Sequence, residues 1–210
     1  MLGSVGTRSR LQPDARRRQL LEVGVRLVGQ VSYQELSLEE VAEAAGISRP
    51  LVYRYFPTKR AFYVEALRFA AEQLLELVER ASSGEPGQAL RAGLATYLGY
   101  VEEHARPYRT ILRGDLGGDP DVIAIVDGVR QAIYRRVLWF LGREEPLPPL
   151  LRLAVLGWIG FVEAVSLEWA ERPEVPRAEL TEALAEMLRQ TLAQWGAEGA
   201  PVATTSPAAT

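Results

Sequence analysis

The sequence predicts an all-α chain of about nine helices, short and closely spaced early, long later. Three observations predict it. Apolar residues recur at spacings of three and four, the period of a helix face. Start and stop signals punctuate the chain: Ser37-Leu38-Glu39-Glu40, Ser48-Arg49-Pro50, Asp119-Pro120, and stopping glycines at Gly46 and Gly142. No stretch carries a persuasive two-residue alternation of the kind that marks a strand.

Residues 1–13 read as a flexible arm containing Arg8 and Arg10. Asp14 suits the cap of a first helix over about Ala15–Gln30, whose apolar face holds Leu20, Leu21, Val23, Val25, Leu27 and Val28. Arg16, Arg17 and Arg18 in its first turn oppose the helix dipole. They fit either a nearby phosphate or a solvated surface. Ser37 to Glu40 match the S-x-x-E capping box and start a short helix ending near Ala45. Gly46 supplies a left-handed stop and Ile47 plugs the core. Ser48 is expected to cap a second short helix, Arg49–Phe56, with Pro50 tolerated in its first turn. Pro57 breaks the chain, and Thr58 suits the cap of a longer helix over Lys59–Ala81.

After the turn Ser82–Gly87, helices are expected over Gln88–His104 and, briefly, Pro107–Leu112. Gly114–Gly118 reads as a loop, and Asp119-Pro120 starts a helix that Gly142 stops. Pro146, Pro148 and Pro149 make a rigid connector to a helix over Leu150–Glu171; the last helix covers Arg177–Trp195. The Ala/Pro/Thr/Gly-rich residues 196–210 read as a disordered tail.

Composition removes several functions. The 210 residues are 48% apolar, enough for a real core, and contain no cysteine, so disulfides and thiolate metal sites are excluded. His104 is the only histidine, which excludes mechanisms needing two imidazoles in one chain. No cofactor or metal is expected. The N-terminal residues lack the apolar run of a secretory signal. The longest uncharged apolar run, Leu153–Val162, has ten residues, short of the roughly 18 of a membrane span. A cytoplasmic protein with no membrane partner is therefore expected.

Net charge is −3, but it is unevenly spread. Residues 1–60 hold ten Arg/Lys against six Asp/Glu; residues 61–210 hold 14 against 21. A basic end on an acidic body is the asymmetry expected when only one end meets phosphates.

That basic end carries the most informative constellation. Two short helices joined by a tight glycine turn with a plug residue form a helix-turn-helix. Val41, Ala42, Ala45, Ile47, Val52 and Phe56 line its inside. Arg49, Pro50, Leu51, Tyr53 and Arg54 remain for the outside, a face suited to the major groove. Arg49 and Arg54 are able to read guanine edges or hold phosphates, and Leu51 to meet a thymine methyl. Phe56 reads as core, Tyr55 as mixed, and Tyr53 as mainly DNA-facing.

The stretch Tyr33–Leu67 resembles the DNA-binding domain of the TetR/AcrR family of bacterial regulators. The resemblance is carried by A-x-x-A-G-[VI]-S at Ala42–Ser48 and [LV]-Y-x-Y-F-x-[ST]-K at Val52–Lys59. With the first helix it covers roughly 50 residues; beyond them only helix count and lengths agree. It implies three helices for DNA and the rest for ligand binding and dimerisation. It also implies repression from a (pseudo)palindromic double-stranded DNA operator bound as a homodimer, and release by a small lipophilic effector. By position it implies recognition-helix contacts at Arg49, Leu51, Tyr53 and Arg54 and phosphate contacts at Ser37, Tyr55, Thr58 and Lys59; Ser48 and Pro50 complete the expected DNA-binding set. One departure stands out: family members usually have glycine before the aromatic at Tyr33, where this chain has Ser32. If that backbone stays left-handed, serine costs roughly 1 kcal/mol.

The expected division is therefore an arm (1–13), a helix-turn-helix domain (14–58), a ligand-binding and dimerisation domain (59–195) and a tail (196–210). In the acidic part, Ala154, Gly157, Gly160 and Ala164 make a stripe of small residues, and Leu180, Leu184, Met187, Leu188 and Leu192 an apolar stripe. These suit a four-helix interface between two copies, the alternative being an ordinary intramolecular core. For an effector pocket, Tyr97, His104, Arg109, Tyr134, Trp158 and Glu163 are the lining candidates, each with a bland reading as surface or satisfied core. Two rivals remain: an enzyme, for which no nucleophile elbow, phosphate loop, dinucleotide or zinc motif is present, and a helical binding module without sequence-specific DNA binding.

Overall fold

The computed structural model describes residues 12–28, 31, 33–105, 109 and 118–195, and among these every regular element is a helix. The helices are α1 (Pro13–Val28), α2 (Leu38–Ala44), α3 (Arg49–Tyr55), α4 (Lys59–Ala81), α5 (Pro86–Glu103), α6 (Pro120–Phe140), α7 (Pro149–Glu171) and α8 (Arg177–Trp195). The short helix expected near Pro107–Leu112 lies, apart from Arg109, outside the described residues. So do Ser32, the tail 196–210, and the arm except Gln12 and Pro13.

The chain forms two compact units. One is drawn from Met1–Glu72 and Arg106–Ile125, the other from Gln73–Ala105 and Val126–Thr210. The first is wider than the 14–58 span read from sequence. Its core explains why. Leu20, Leu21, Val23 and Val28 of α1, Val41 and Ala42 of α2 and Val52 of α3 bury together with Phe62, Tyr63, Ala66 and Leu67 of α4 and Val122 of α6. Without those α4 and α6 side chains the three N-terminal helices would have no floor. Close approach is built in at Gly24, where a Cβ would stand 2.6 Å from Phe62 Cζ. Asp119 starts α6 by accepting the Asp121 N–H at 2.9 Å, and both carboxylates take the Arg60 guanidinium of α4 at 2.6–2.8 Å.

Two start signals resolve differently from expectation. α1 begins at Pro13, not Ala15, and its first helical bond runs from Arg16 N–H to Gln12 O at 2.9 Å. Proline at a first helical position loses no hydrogen bond, so the helix extends back over Asp14, which sits in the first turn instead of capping it. Ser48 occupies the N-cap of α3 but makes no side-chain cap bond. A cap oxygen bonds the second or third helical N–H. Pro50 has none, and the Leu51 N–H goes to Ser48 O at 3.0 Å.

The second unit buries Tyr97, Leu98 and Val101 of α5, Tyr134, Val137 and Leu138 of α6, Val155, Trp158, Ile159 and Val162 of α7, and Leu184 and Leu188 of α8. α8 packs on α5 and α7. The Trp158 indole N–H donates to Leu184 O at 3.0 Å, and Arg91–Glu182 and Arg177–Glu102 pair α5 with α8. By length and composition α7 would suffice to cross a membrane. Here one side of it is core for this unit. Leu184 and Leu188, read from sequence as half of an intermolecular stripe, are intramolecular core, whereas Met187 faces outward.

Candidate nucleic-acid interface

The interface is assembled from capping chemistry upward. Ser37 accepts the Glu40 N–H at 3.1 Å, and Glu40 accepts the Ser37 N–H at 3.0 Å, closing the capping box of α2. At its other end Gly46 adopts φ +64°, and the Ile47 N–H reaches back to Ala42 O at 3.0 Å. This turn launches α3. Val52 and Phe56 are fully buried, one helical turn apart, and fix the rotation of α3 about its axis. Ser48, Arg49, Pro50, Tyr53 and Arg54 consequently lie on the outer side, with Leu51 and Tyr55 half-buried at its margins. Ile47 is half-buried rather than sealed.

Of the phosphate-side residues, Thr58 caps α4 as expected, accepting the Ala61 N–H at 3.0 Å. Lys59 donates to Gln34 O at 3.0 Å and lies 4.6 Å from the Tyr33 ring centroid, so its ammonium is held in place at the start of α4. The three arginines near the start of α1, Arg16, Arg17 and Arg18, all have partners in the fold. Arg16 donates to Gln19, Arg17 to Glu65 at 2.6 Å, and Arg18 pairs with Glu22. Arg17 and Arg18 also stand over the Phe56 and Phe69 rings. The phosphate reading of these residues gains no support from this geometry.

One participant escaped the sequence reading. Glu39 Oε1 accepts from Arg49 and, at 3.3 Å, from the Tyr53 hydroxyl. The Arg49 guanidinium holds the Glu39 carboxyl below its ordinary value. Glu39 reads in sequence as a first-turn acid, and nothing in the spacing predicts that α3 brings Arg49 and Tyr53 to it.

The six effector candidates divide between the two units. Arg109 is exposed and belongs to the first unit; the other five belong to the second. There, Tyr97 shares a hydrogen bond with Ser166 at 3.1 Å, and Ser166 donates to Glu163 O at 3.0 Å, linking two candidates. The Glu163 carboxylate takes Arg130 through Nε and Nη2 at 2.9–3.2 Å. Buried Tyr134 donates to Glu145 at 2.6 Å, and burial with that carboxylate pushes its phenol up to about 12. His104 caps α5, its Nδ1–H donating to Tyr100 O at 2.9 Å and its ring stacked 4.3 Å from that of Tyr100. Among the described residues no three His, Asp or Glu side chains gather as a metal-binding group.

Comparison with known proteins agrees with this geometry. Residues 20–66 match the model of bacterial regulatory proteins of the tetR family, and residues 86–192 match the tetracyclin repressor-like C-terminal domain. A tetR-family transcriptional regulator from Streptomyces coelicolor superposes with a TM-score of 0.80 at 37% identity, over 89% of this chain and 84% of that one. The transcriptional activator FasR of Mycolicibacterium smegmatis is 28% identical over 141 residues, 66% of this chain and 64% of its own length. EthR of the same organism is 31% identical over 101 residues, 43% of each protein. The chain thus spans about two thirds or less of those two relatives.

Proposed function

The chain belongs to the tetR family of bacterial transcriptional regulators, and on that premise we propose that it is a ligand-responsive, homodimeric repressor acting in the cytoplasm. One observation carries the DNA-binding part. Val52 and Phe56 lock α3 by its inner side and leave Arg49, Pro50, Tyr53 and Arg54 outward. A short helix presenting two guanidinium groups and a phenol to solvent suits major-groove edges and flanking phosphates. Ser37, Ser48, Leu51, Tyr55, Thr58 and Lys59 complete the proposed contact set.

Dimerisation through α7 is supported by what that helix leaves uncovered. Leu150, Leu153, Gly157, Gly160, Phe161 and Ala164 are all exposed and recur at spacings of three and four. A Cβ added at Gly157 or Gly160 would meet nothing within 4 Å. An apolar stripe with bare glycines suits close approach by a second copy. A small lipophilic effector is supported by the aromatic, largely apolar interior of the second unit. A Bacillus subtilis FadR solved with stearoyl-CoA has a similar fold, at 15% identity. Tyr97, His104, Tyr134, Trp158 and Glu163, all of the second unit, remain the proposed lining. The family points to regulation rather than catalysis.

The deciding experiment is binding of the purified protein to a labelled duplex from upstream of its own gene, with unlabelled random DNA as competitor. Saturable binding at two protomers per site that survives the competitor is expected. Binding that the competitor abolishes at every salt concentration, there and on genome-wide selected fragments, would leave the helical binding module as the reading. FasR, an activator by its name, favours a second reading of the direction of control. Transcription in vitro from the bound promoter separates the two: a repressor lowers the transcript and an activator raises it.

A further inference from the structure

Arg49 and Tyr53 are four residues apart and therefore share one face of α3. Both are strongly exposed, the Arg49 side chain at 64% and Tyr53 at 45%. Long exposed side chains ordinarily sample many rotamers. Here a single carboxylate oxygen of α2, Glu39 Oε1, accepts from both. The capping box of α2 is complete without it, since Ser37 and Glu40 satisfy each other. Glu39 is thus not needed to start its own helix.

We propose, resting on the DNA-reading role above, that Glu39 is a specificity-determining positioning residue: it holds Arg49 and Tyr53 in the orientation in which α3 reads base edges. The contact uses only Nη2 of Arg49. Nη2 carries two N–H groups, so the one Glu39 leaves still pairs with an N–H of Nε or Nη1 to form a fork for two acceptors such as guanine O6 and N7. A glutamate carboxyl is ionised throughout the neutral range, and Arg49 holds that of Glu39 below its ordinary value, so the acceptor carries its charge there. The same carboxylate opposes phosphates. It therefore weakens binding to arbitrary DNA while sharpening the choice among sequences, and both effects widen the gap between operator and random DNA.

The probe is a duplex selected by the wild-type protein from a random-sequence library, together with a random duplex of equal length. Arg49→Ala identifies the base pair whose preference depends on Arg49. At that base pair, Glu39→Gln is expected to lose about tenfold in discrimination. It should also bind the random duplex more tightly, with an unchanged thermal unfolding midpoint. In the Arg49→Ala background the same substitution should change discrimination no further. Glu39→Asp keeps the charge but shortens the reach; it should lose discrimination without tightening on random DNA. Full discrimination in folded Glu39→Gln protein, or a further tenfold loss in the Arg49→Ala background, would overturn the role of Glu39 alone. A wild-type protein that enriches no sequence from the library would overturn the DNA reading and this role with it.

Discussion

At the residue scale, DNA recognition separates into groups that position and groups that read. Lys59 is fixed between Gln34 O and the Tyr33 ring, on α4 and not on the outer face of α3. Lys59→Ala is expected to weaken binding to all sequences alike and to flatten the salt dependence by about one unit for each phosphate it no longer neutralises. A titration of binding against salt measures this, and an unchanged slope would remove Lys59 from the phosphate-binding set. Arg54 is exposed on α3, and no ion pair holds it among the described residues. Arg54→Ala should instead relax preference at one base pair per half-site, read by selection from a library; uniform weakening would make it a positioning group. Asp119 gives a pH prediction. Arg60 holds its carboxyl below the ordinary 3.8, so the unfolded chain binds that proton more readily. The stabilisation is fully present above the ordinary value and disappears as pH falls through the depressed one. The difference in unfolding midpoint between wild type and Asp119→Asn should therefore be largest near neutrality and shrink as the pH falls below the ordinary 3.8. A difference that grew on acidification would contradict the pairing. Much of the chemistry at this scale was legible beforehand. The capping box, the Gly46 stop and the Thr58 cap need only local backbone geometry. The Ser48 cap misled because Pro50 removes one of the two N–H groups it would have used.

At the scale of elements, the helix-turn-helix depends on α1 lying close against α4. Phe62 is fully buried and packs edge-on against Phe56 at 5.1 Å, so its ring cannot swing away from a new methyl on Gly24. Gly24→Ala is expected to cost about 1–3 kcal/mol through overpacking, and thermal unfolding would register it. Gly46→Ala has no neighbour within 4 Å, yet its φ of +64° leaves a strain of roughly 1 kcal/mol. The pair separates crowding from backbone strain: replacing Phe62 by leucine should rescue the first and not the second. Periodicity located every described helix to within a few residues. It did not assign partners to faces. The stripe on α8 shows this, since Leu184 and Leu188 turn inward to α5 and α7 while Met187 does not.

At the scale of the whole molecule, the proposed dimer and the DNA reading stand or fall together. In the proposed reading one α3 covers a half-site, and selective binding takes a second copy at fixed spacing. Phe161 is exposed on the uncovered stripe of α7. Phe161→Arg should leave each chain folded, because that side of α7 meets solvent within the chain. It should nonetheless give a monomer by sedimentation velocity and abolish selective DNA binding. A variant that remained dimeric would move the interface away from α7.

Local signals were enough for the helices, their boundaries within a turn or so, the helix-turn-helix and the family. A period of three to four, a cap, a left-handed glycine and a short run of identities each act over a few residues of chain. Packing between helices settled the rest: that residues from α4 and α6 floor the first unit, that Arg16, Arg17 and Arg18 are engaged within the fold, and that Glu39 tethers Arg49 and Tyr53. Most of these join residues on different helices. The rotation of one packed helix against another is set by the summed burial of the core, which no local pattern encodes.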